Sequence, residues 1–327
     1  MGKLESEISR REKRAWEMEL LHRYEGNPIL TADMWPYPAN TVFNCGATRL
    51  ENGDTLLLVR VEDRRGISHL TAARSRDGLS DWQIDPEPTL LPDESPGSDE
   101  IWGIEDPRIV FLEELGKYAI CYTGYSHSGP HVKLALTKDF RTFERLGSVM
   151  PPEDKDATLL PRRINGRWVM IHRPVSAFTG SADMWLSYSP DLIHWGCHEV
   201  MLEARRGAWW DANKIGLSPP AVETPEGWLV FYHGVRVTPA GSLYRLGVAL
   251  FDLEDPSKLI RRGNEWIFGP EKEYERVGDV GYVVFPCGYT IEDDGDTIRL
   301  YYGGADTAVA MAKGSIREIL DWLSTQV

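Results

Sequence analysis

The segment Trp102-Gly-Ile-Glu-Asp-Pro-Arg-Ile109 sets two carboxylates, Glu105 and Asp106, side by side between a tryptophan-glycine pair and a proline. A carboxylic acid held on a short turn can pass its proton to a leaving oxygen, which is what breaking a glycosidic bond requires. The tripeptide Glu-Asp-Pro is also an ordinary polar turn, so the rest of the chain decides its meaning. Charged and polar residues recur at the ends of apolar runs, beside Gly, Pro and aromatics. Arg60 follows Leu-Leu-Leu-Val, and Arg173 lies in Met-Ile-His-Arg-Pro. Lys214 lies in Asn-Lys-Ile-Gly, His233 in Phe-Tyr-His-Gly and Tyr244 in Leu-Tyr-Arg-Leu-Gly. Asp306 ends Tyr-Tyr-Gly-Gly-Ala-Asp, and Lys155 belongs to the same set. Singly, each is an ordinary solvated strand end. Together they make a set of cations with the two carboxylates Asp106 and Asp306.

Short strands must carry this set. From Asn27 onward, apolar runs alternate with the turn signals Asn52-Gly53-Asp54, Asp77-Gly78, Asn165-Gly166, Glu226-Gly227 and Asp294-Gly295-Asp296. Between them, strands are predicted at Thr55–Val61, Tyr118–Thr123, Trp168–His172, Trp228–Tyr232 and Thr297–Tyr302. A pattern of Ser or Thr, any residue, Asp and then an aromatic recurs as Ser75-Arg-Asp77 with Trp82, Thr137-Lys-Asp139 with Phe143, and Ser189-Pro-Asp191 with Trp195. Phe251-Asp-Leu-Glu-Asp255 is a weaker relative. The period of roughly 50–60 residues suits one four-stranded blade per repeat, giving about five blades. The predicted fold class is all-β, a five-bladed β-propeller, with a pair of β-sandwiches as the competing architecture. Residues 3–22 lack Gly and Pro and predict a helix with Leu4, Ile8, Trp16 and Leu20 on one face. Residues 1–26 are therefore read as a helical extension and 27–327 as the catalytic propeller, ending in a short helix over Ser315–Ser324.

Bulk properties narrow the function. The 327 residues carry a net charge of −14, which disfavours nucleic acid and anionic membranes as partners. The four cysteines (Cys45, Cys121, Cys197, Cys287) are far apart and predict free thiols rather than a disulfide frame or a zinc site. No apolar signal core or membrane-length run is present, so a soluble cytoplasmic protein is expected. No metal site is expected. The N-terminal helix would suit a contact between subunits in a homo-oligomer.

The chain resembles glycoside hydrolase family 130, the mannoside phosphorylases and related β-mannosidases, from Asn27 to about Lys313. The resemblance rests on Gly103–Arg108, Asn165–Pro174, Ser187–Trp195, Val283–Gly288 and Tyr301–Asp306. It implies a five-bladed propeller in agreement with the repeat. It implies that Asp106 is the general acid, its proton reaching the glycosidic oxygen through a mannosyl hydroxyl, O3. It implies that Asn44, Arg60 and Asp306 hold the mannosyl ring, and that Lys155, Arg173, Lys214, His233 and Tyr244 form a phosphate pocket. Some relatives carry an Arg-Asn pair where this chain has Lys155-Asp156, and lysine lacks the bidentate fork of arginine. The partners implied are a β-mannoside and inorganic phosphate, the latter a co-substrate, with no cofactor.

The residue types fit phosphorolysis. An inverting hydrolase needs an acid and a base with water between them. A phosphorylase needs only the acid, because phosphate is already an anionic nucleophile that a cationic pocket can aim. A β-mannosidase using water is the alternative within the family, and a non-catalytic carbohydrate-binding propeller is the alternative outside it. Trp102, Tyr125, Trp209 and Trp210 are candidates for stacking on the acceptor sugar, with His127 and His131 as further contacts. For Asp106 to act near neutral pH its pKa should be raised. Burial and Glu105 push that way, and nearby cations push the other.

Overall fold

The computed structural model describes residues 19–176, 180, 182–239 and 241–326. They build five antiparallel sheets arranged as the blades of a propeller. Blade 1 contains Thr41–Arg49, Thr55–Glu62, Ser68–Ser75 and Gln83–Ile84. Blade 2 contains Ile104–Leu112, Lys117–Ser126, Gly129–Thr137 and Glu144–Met150. Blade 3 contains Asp154–Leu159, Trp168–Pro174, Met184–Ser189 and Gly196–Leu202. In blade 4, Lys214–Leu217 and Val222–Thr224 both pair with Gly227–Thr238, followed by Gly241–Phe251 and Leu259–Arg262. Blade 5 contains Val284–Ile291, Thr297–Gly304 and Ala308–Ser315, and its fourth strand comes from the other end of the chain. There His22–Arg23 pairs with Lys313 and Ala312, which closes the ring.

Five hydrophobic cores lie between neighbouring blades. The run Leu56-Leu57-Leu58-Val59 explains itself in this setting. Leu56 and Leu58 pack toward blade 2, while Leu57 and Val59 pack toward blade 5. A strand buried on both faces reads as a continuous apolar run rather than an alternation.

The sequence repeat is a turn, not a site. In blades 1 to 3 the Asp of the pattern follows the third strand and accepts backbone N–H bonds two and three residues on, as Asp77 does from Leu79 and Ser80. Asp139 and Asp191 do the same, and Asp252 holds the corresponding turn of blade 4. Side chains that bond their own turn in this way fix it locally. At the matching position of blade 5, Ser315 instead caps a helix (α1, Ile316–Ser324) by accepting from the Glu318 N–H at 3.1 Å. This helix buries Ile319, Trp322 and Leu323 in the core between blades 4 and 5.

The helix predicted over 3–22 falls mostly outside the described residues. Its last four positions, 19–22, are not helical. Leu20 and Leu21 enter the core between blades 4 and 5, and His22 begins the closing strand. The pairing with blade 5 overrides their helix propensity. Cys45, Cys121 and Cys287 are buried and Cys197 is exposed, all four as free thiols. Among the described residues no helix is long and apolar enough to cross a membrane.

Candidate active site

One local device recurs around the axis. The first strands of blades 1, 2 and 3 each carry an extra residue relative to their partner, at Phe43/Gly46, Glu105/Arg108 and Lys155/Thr158. Within each irregularity one residue has a left-handed backbone: Asn44 (φ 42°), Asp106 (φ 50°) and Asp156 (φ 55°). Asn and Asp tolerate this conformation better than other non-glycine residues, and bulges commonly re-aim a side chain beside an active site. All three residues line a single cavity of about 130 Å3. Arg60 and Arg173 come from the second strands, opposite the residues that precede two of the bulges (Phe43 and Lys155). Blade 4 supplies Lys214, His233 and Tyr244, and the hairpin after Gly304 in blade 5 supplies Asp306, also left-handed at φ 51°. The nine residues proposed from the sequence therefore line one cavity. They are drawn from all five blades.

The cavity lining contains distinct clusters. In one, Asp106 Oδ1 accepts from Asn44 Nδ2 at 2.9 Å and from Arg60 Nη1 at 3.0 Å. Arg60 also reaches Glu105 at 3.0 Å and Glu62 at 3.3 Å. Burial works to raise the Asp106 pKa. The charges of Arg60 and Lys155, the Asn44 hydrogen bond and the Arg108 charge outweigh it and hold the group below the usual carboxylate range. The expected rise is thus not found on Asp106. It is found on Asp306, pushed up to about 7 by burial and then by the negative charge of Asp106. Two facing carboxylates with divided titration let one proton remain in the pocket near neutral pH.

The same lining includes Lys155, Arg173, Lys214, His233 and Tyr244. Lys214 Nζ lies 5.4 Å from the centre of the Tyr244 ring, and burial, then Arg173, lowers its pKa. His233 is buried and its pKa is pushed down to about 3, so it is a neutral ring and not one of the cations. Arg173 is fixed from behind. Its backbone N–H donates to Asp154 Oδ1 at 3.1 Å, and Asp154 in turn bonds His172 at 2.6 Å.

Two residues of this site escaped the sequence reading of roles. Asp156 is buried and its Oδ2 accepts from Arg173 Nε at 2.8 Å. Arg108, fully buried, donates to the Ser218 carbonyl at 2.6 Å, the Leu217 carbonyl at 2.8 Å and Asp156 at 3.4 Å, tying blade 2 to blades 3 and 4. Arg108 stood inside the Glu-Asp-Pro-Arg motif, so its signal was present. Its span across the channel was not.

The aromatic candidates divide. Trp102 and Tyr125 are exposed with ring centres 5.5 Å apart, and His127 lies beside Trp102. Trp209 is exposed and lies under the Arg205 guanidinium. Trp210 is not available to a sugar: it is buried, stacked on Tyr232 and bonded to the Asn264 carbonyl. Gly234 and Gly247 leave room for its ring. His131 is also buried, beside Ser148 and Asp99.

A cavity that gathers a carboxylate pair and a cluster of cations from all five blades has clear counterparts. The family model of glycoside hydrolase family 130, described as beta-1,4-mannooligosaccharide phosphorylase, matches residues 10–325. The chain belongs to glycoside hydrolase family 130. Within family 130 it is 34% identical over 313 residues to a beta-1,4-mannooligosaccharide phosphorylase of Ruminococcus albus, covering 94% of this chain and 92% of the relative. It is 36% identical over 312 residues to a 1,2-beta-oligomannan phosphorylase of Thermoanaerobacter, covering 91% and 98%. The fold superimposes with a TM-score of 0.85 on the beta-1,2-mannobiose phosphorylase of Listeria innocua in complex with beta-1,2-mannobiose, at 30% identity over 94% of this chain and 99% of that one.

Proposed function

We propose that this family 130 chain is an inverting mannoside phosphorylase. It cleaves a β-1,4- or β-1,2-linked mannoside with inorganic phosphate, giving α-mannose 1-phosphate and an acceptor sugar shorter by one mannosyl unit. The observation that carries this reading is the company the cavity keeps. One lining gathers Asp106, Asn44, Arg60 and Asp306 with the cations Lys155, Arg173 and Lys214. The names of the relatives support it.

In this mechanism Asn44, Arg60 and Asp306 hold the mannosyl ring. The cationic cluster aims a phosphate oxygen at the anomeric carbon from the face opposite the glycosidic bond. The new C–O bond forms as the old one breaks, with inversion. The leaving oxygen takes its proton from the mannosyl O3 hydroxyl, which is replenished by Asp106. Arg60 and Lys155 favour the ionised form of Asp106. Bound phosphate offsets Lys155 and its neighbours and favours the protonated acid.

A hydrolase of this family would need a free carboxylate where water is to be activated. Asp156 is the carboxylate in contact with the proposed phosphate-binding residues, but it is bonded to Arg173 and Arg108 and held far below the usual carboxylate range, which makes it a poor base. The test is a panel of β-1,4- and β-1,2-mannosides incubated with and without phosphate and scored for mannose 1-phosphate. Phosphate-dependent product from the wild type is expected. A loss of at least about 100-fold is expected in a folded Asp106→Asn variant. Free mannose released at the same rate without phosphate would overturn the proposal.

A further inference from the structure

Asp156 is an odd residue to find in a pocket for an anion. It lines the same cavity as Lys155, Arg173 and Lys214, is 2% exposed, and stands on a left-handed bulge like those that present Asn44 and Asp106. Blade 4 is shaped around it. A Cβ on Gly216 would lie 2.5 Å from Asp156 Oδ2 and 2.6 Å from His233 Cε1, so only glycine leaves room for both groups. Its protein partners do not use it up. An ionised carboxylate has about four lone-pair positions. Here one close bond comes from Arg173 Nε at 2.8 Å, with longer approaches from Arg108 at 3.4 Å and His233 Nε2 at 3.5 Å. Because Asp156 stays ionised, it can only accept hydrogen bonds.

An acceptor-only group facing a tetrahedral anion distinguishes two chemistries. Phosphate and arsenate keep at least one O–H near neutral pH and can donate it to a carboxylate. Sulfate has the same shape and charge but no proton, so every oxygen it turns toward Asp156 is repelled. We infer that Asp156 is a specificity-determining residue that makes the pocket select protonated oxyanions, phosphate and arsenate, and exclude sulfate. The inference deepens the phosphorylase reading and rests on it for the place where phosphate binds. In that arrangement Lys155, Arg173 and Lys214 supply attraction common to all three anions, and Asp156 supplies the discrimination.

The experiment is calorimetric titration of the substrate-free enzyme with phosphate, arsenate and sulfate in turn, for the wild type and Asp156→Asn, together with sulfate inhibition of phosphorolysis. Asparagine keeps an oxygen for Arg173 and adds an N–H that can donate to sulfate. The wild type should bind phosphate and arsenate alike and sulfate about 10- to 100-fold more weakly, the worth of one hydrogen bond to a charged group. In Asp156→Asn the sulfate-to-phosphate affinity ratio should rise at least about tenfold. A purely structural Asp156 would weaken both anions together and leave the ratio unchanged, which would overturn the inference. Sulfate binding the wild type within about twofold of phosphate would overturn it without any variant, so a misfolded Asp156→Asn does not shelter it. Mannose release independent of phosphate would instead overturn the phosphorylase reading, while the anion ratio still judges Asp156. No binding of any of the three anions would overturn both.

Discussion

Replacing Asp306 by asparagine should stabilise the protein, and only above acidic pH. Asp306 is forced to share a buried cavity with Asp106, and its pKa is pushed up to about 7 by burial first and by that neighbour second. An ordinary aspartate titrates near 3.9, so the displacement is roughly three units, or about 4 kcal/mol at 1.36 kcal/mol per unit. The sign follows from proton counting. Between about pH 4 and pH 7 the folded protein holds a proton that the unfolded chain has released, so stability falls as pH rises through this window and stays lowered above it. Asparagine does not titrate. Thermal unfolding of wild type and Asp306→Asn, in buffers without phosphate, should therefore give nearly equal midpoints at pH 4. At pH 8 the variant should be ahead by up to about 4 kcal/mol, or about 6 °C for a chain of this size. Binding of mannosides should weaken in the same variant, since Asp306 lines the cavity and is proposed to hold the mannosyl ring. A gap that is the same at both pH values, or a wild type more stable at pH 8, would refute the reasoning.

Two other substitutions test how the site and its frame are built. Gly216→Ala forces the Asp156 and His233 side chains apart, and should cost about 1–3 kcal/mol of stability by overpacking and raise the KM for phosphate more than it lowers kcat. An unchanged phosphate KM would show that this packing does not hold the pocket. Ser315→Ala removes the cap of α1, where Ser315 accepts from Glu318 N–H and donates to Asp296 Oδ2 at 2.7 Å, and should lower stability by about 1 kcal/mol in chemical denaturation with phosphorolysis at room temperature intact. Lost activity at full folding would refute the purely structural role of that position.

The chain itself determined the class of fold, because its blades are local objects. Short turns within each blade join its strands, and the Ser/Thr-x-Asp repeat of blades 1 to 3 folds on itself within a few residues whatever surrounds it. The residues able to do the chemistry were legible too, since polar groups with unusual neighbours stand out against apolar strand ends. What the sequence could not decide were quantities set by residues far apart in the chain. Whether Asp106 is acidic or basic depends on Arg60 from another blade and on Lys155 from a third. Trp210 looked like a sugar platform until Tyr232 and two glycines of blade 4 enclosed it. The end of the predicted N-terminal helix became extended because blade 5 lacked its fourth strand, a need expressed nearly 300 residues later at Ala312 and Lys313. Asp156 read as a departure from a motif. Arg173 reaches it from the next strand of its own blade, and packing of the blades brought Arg108 and His233 from two others and turned it into a buried acceptor, because electrostatics and burial are properties of the assembled cavity and not of any segment.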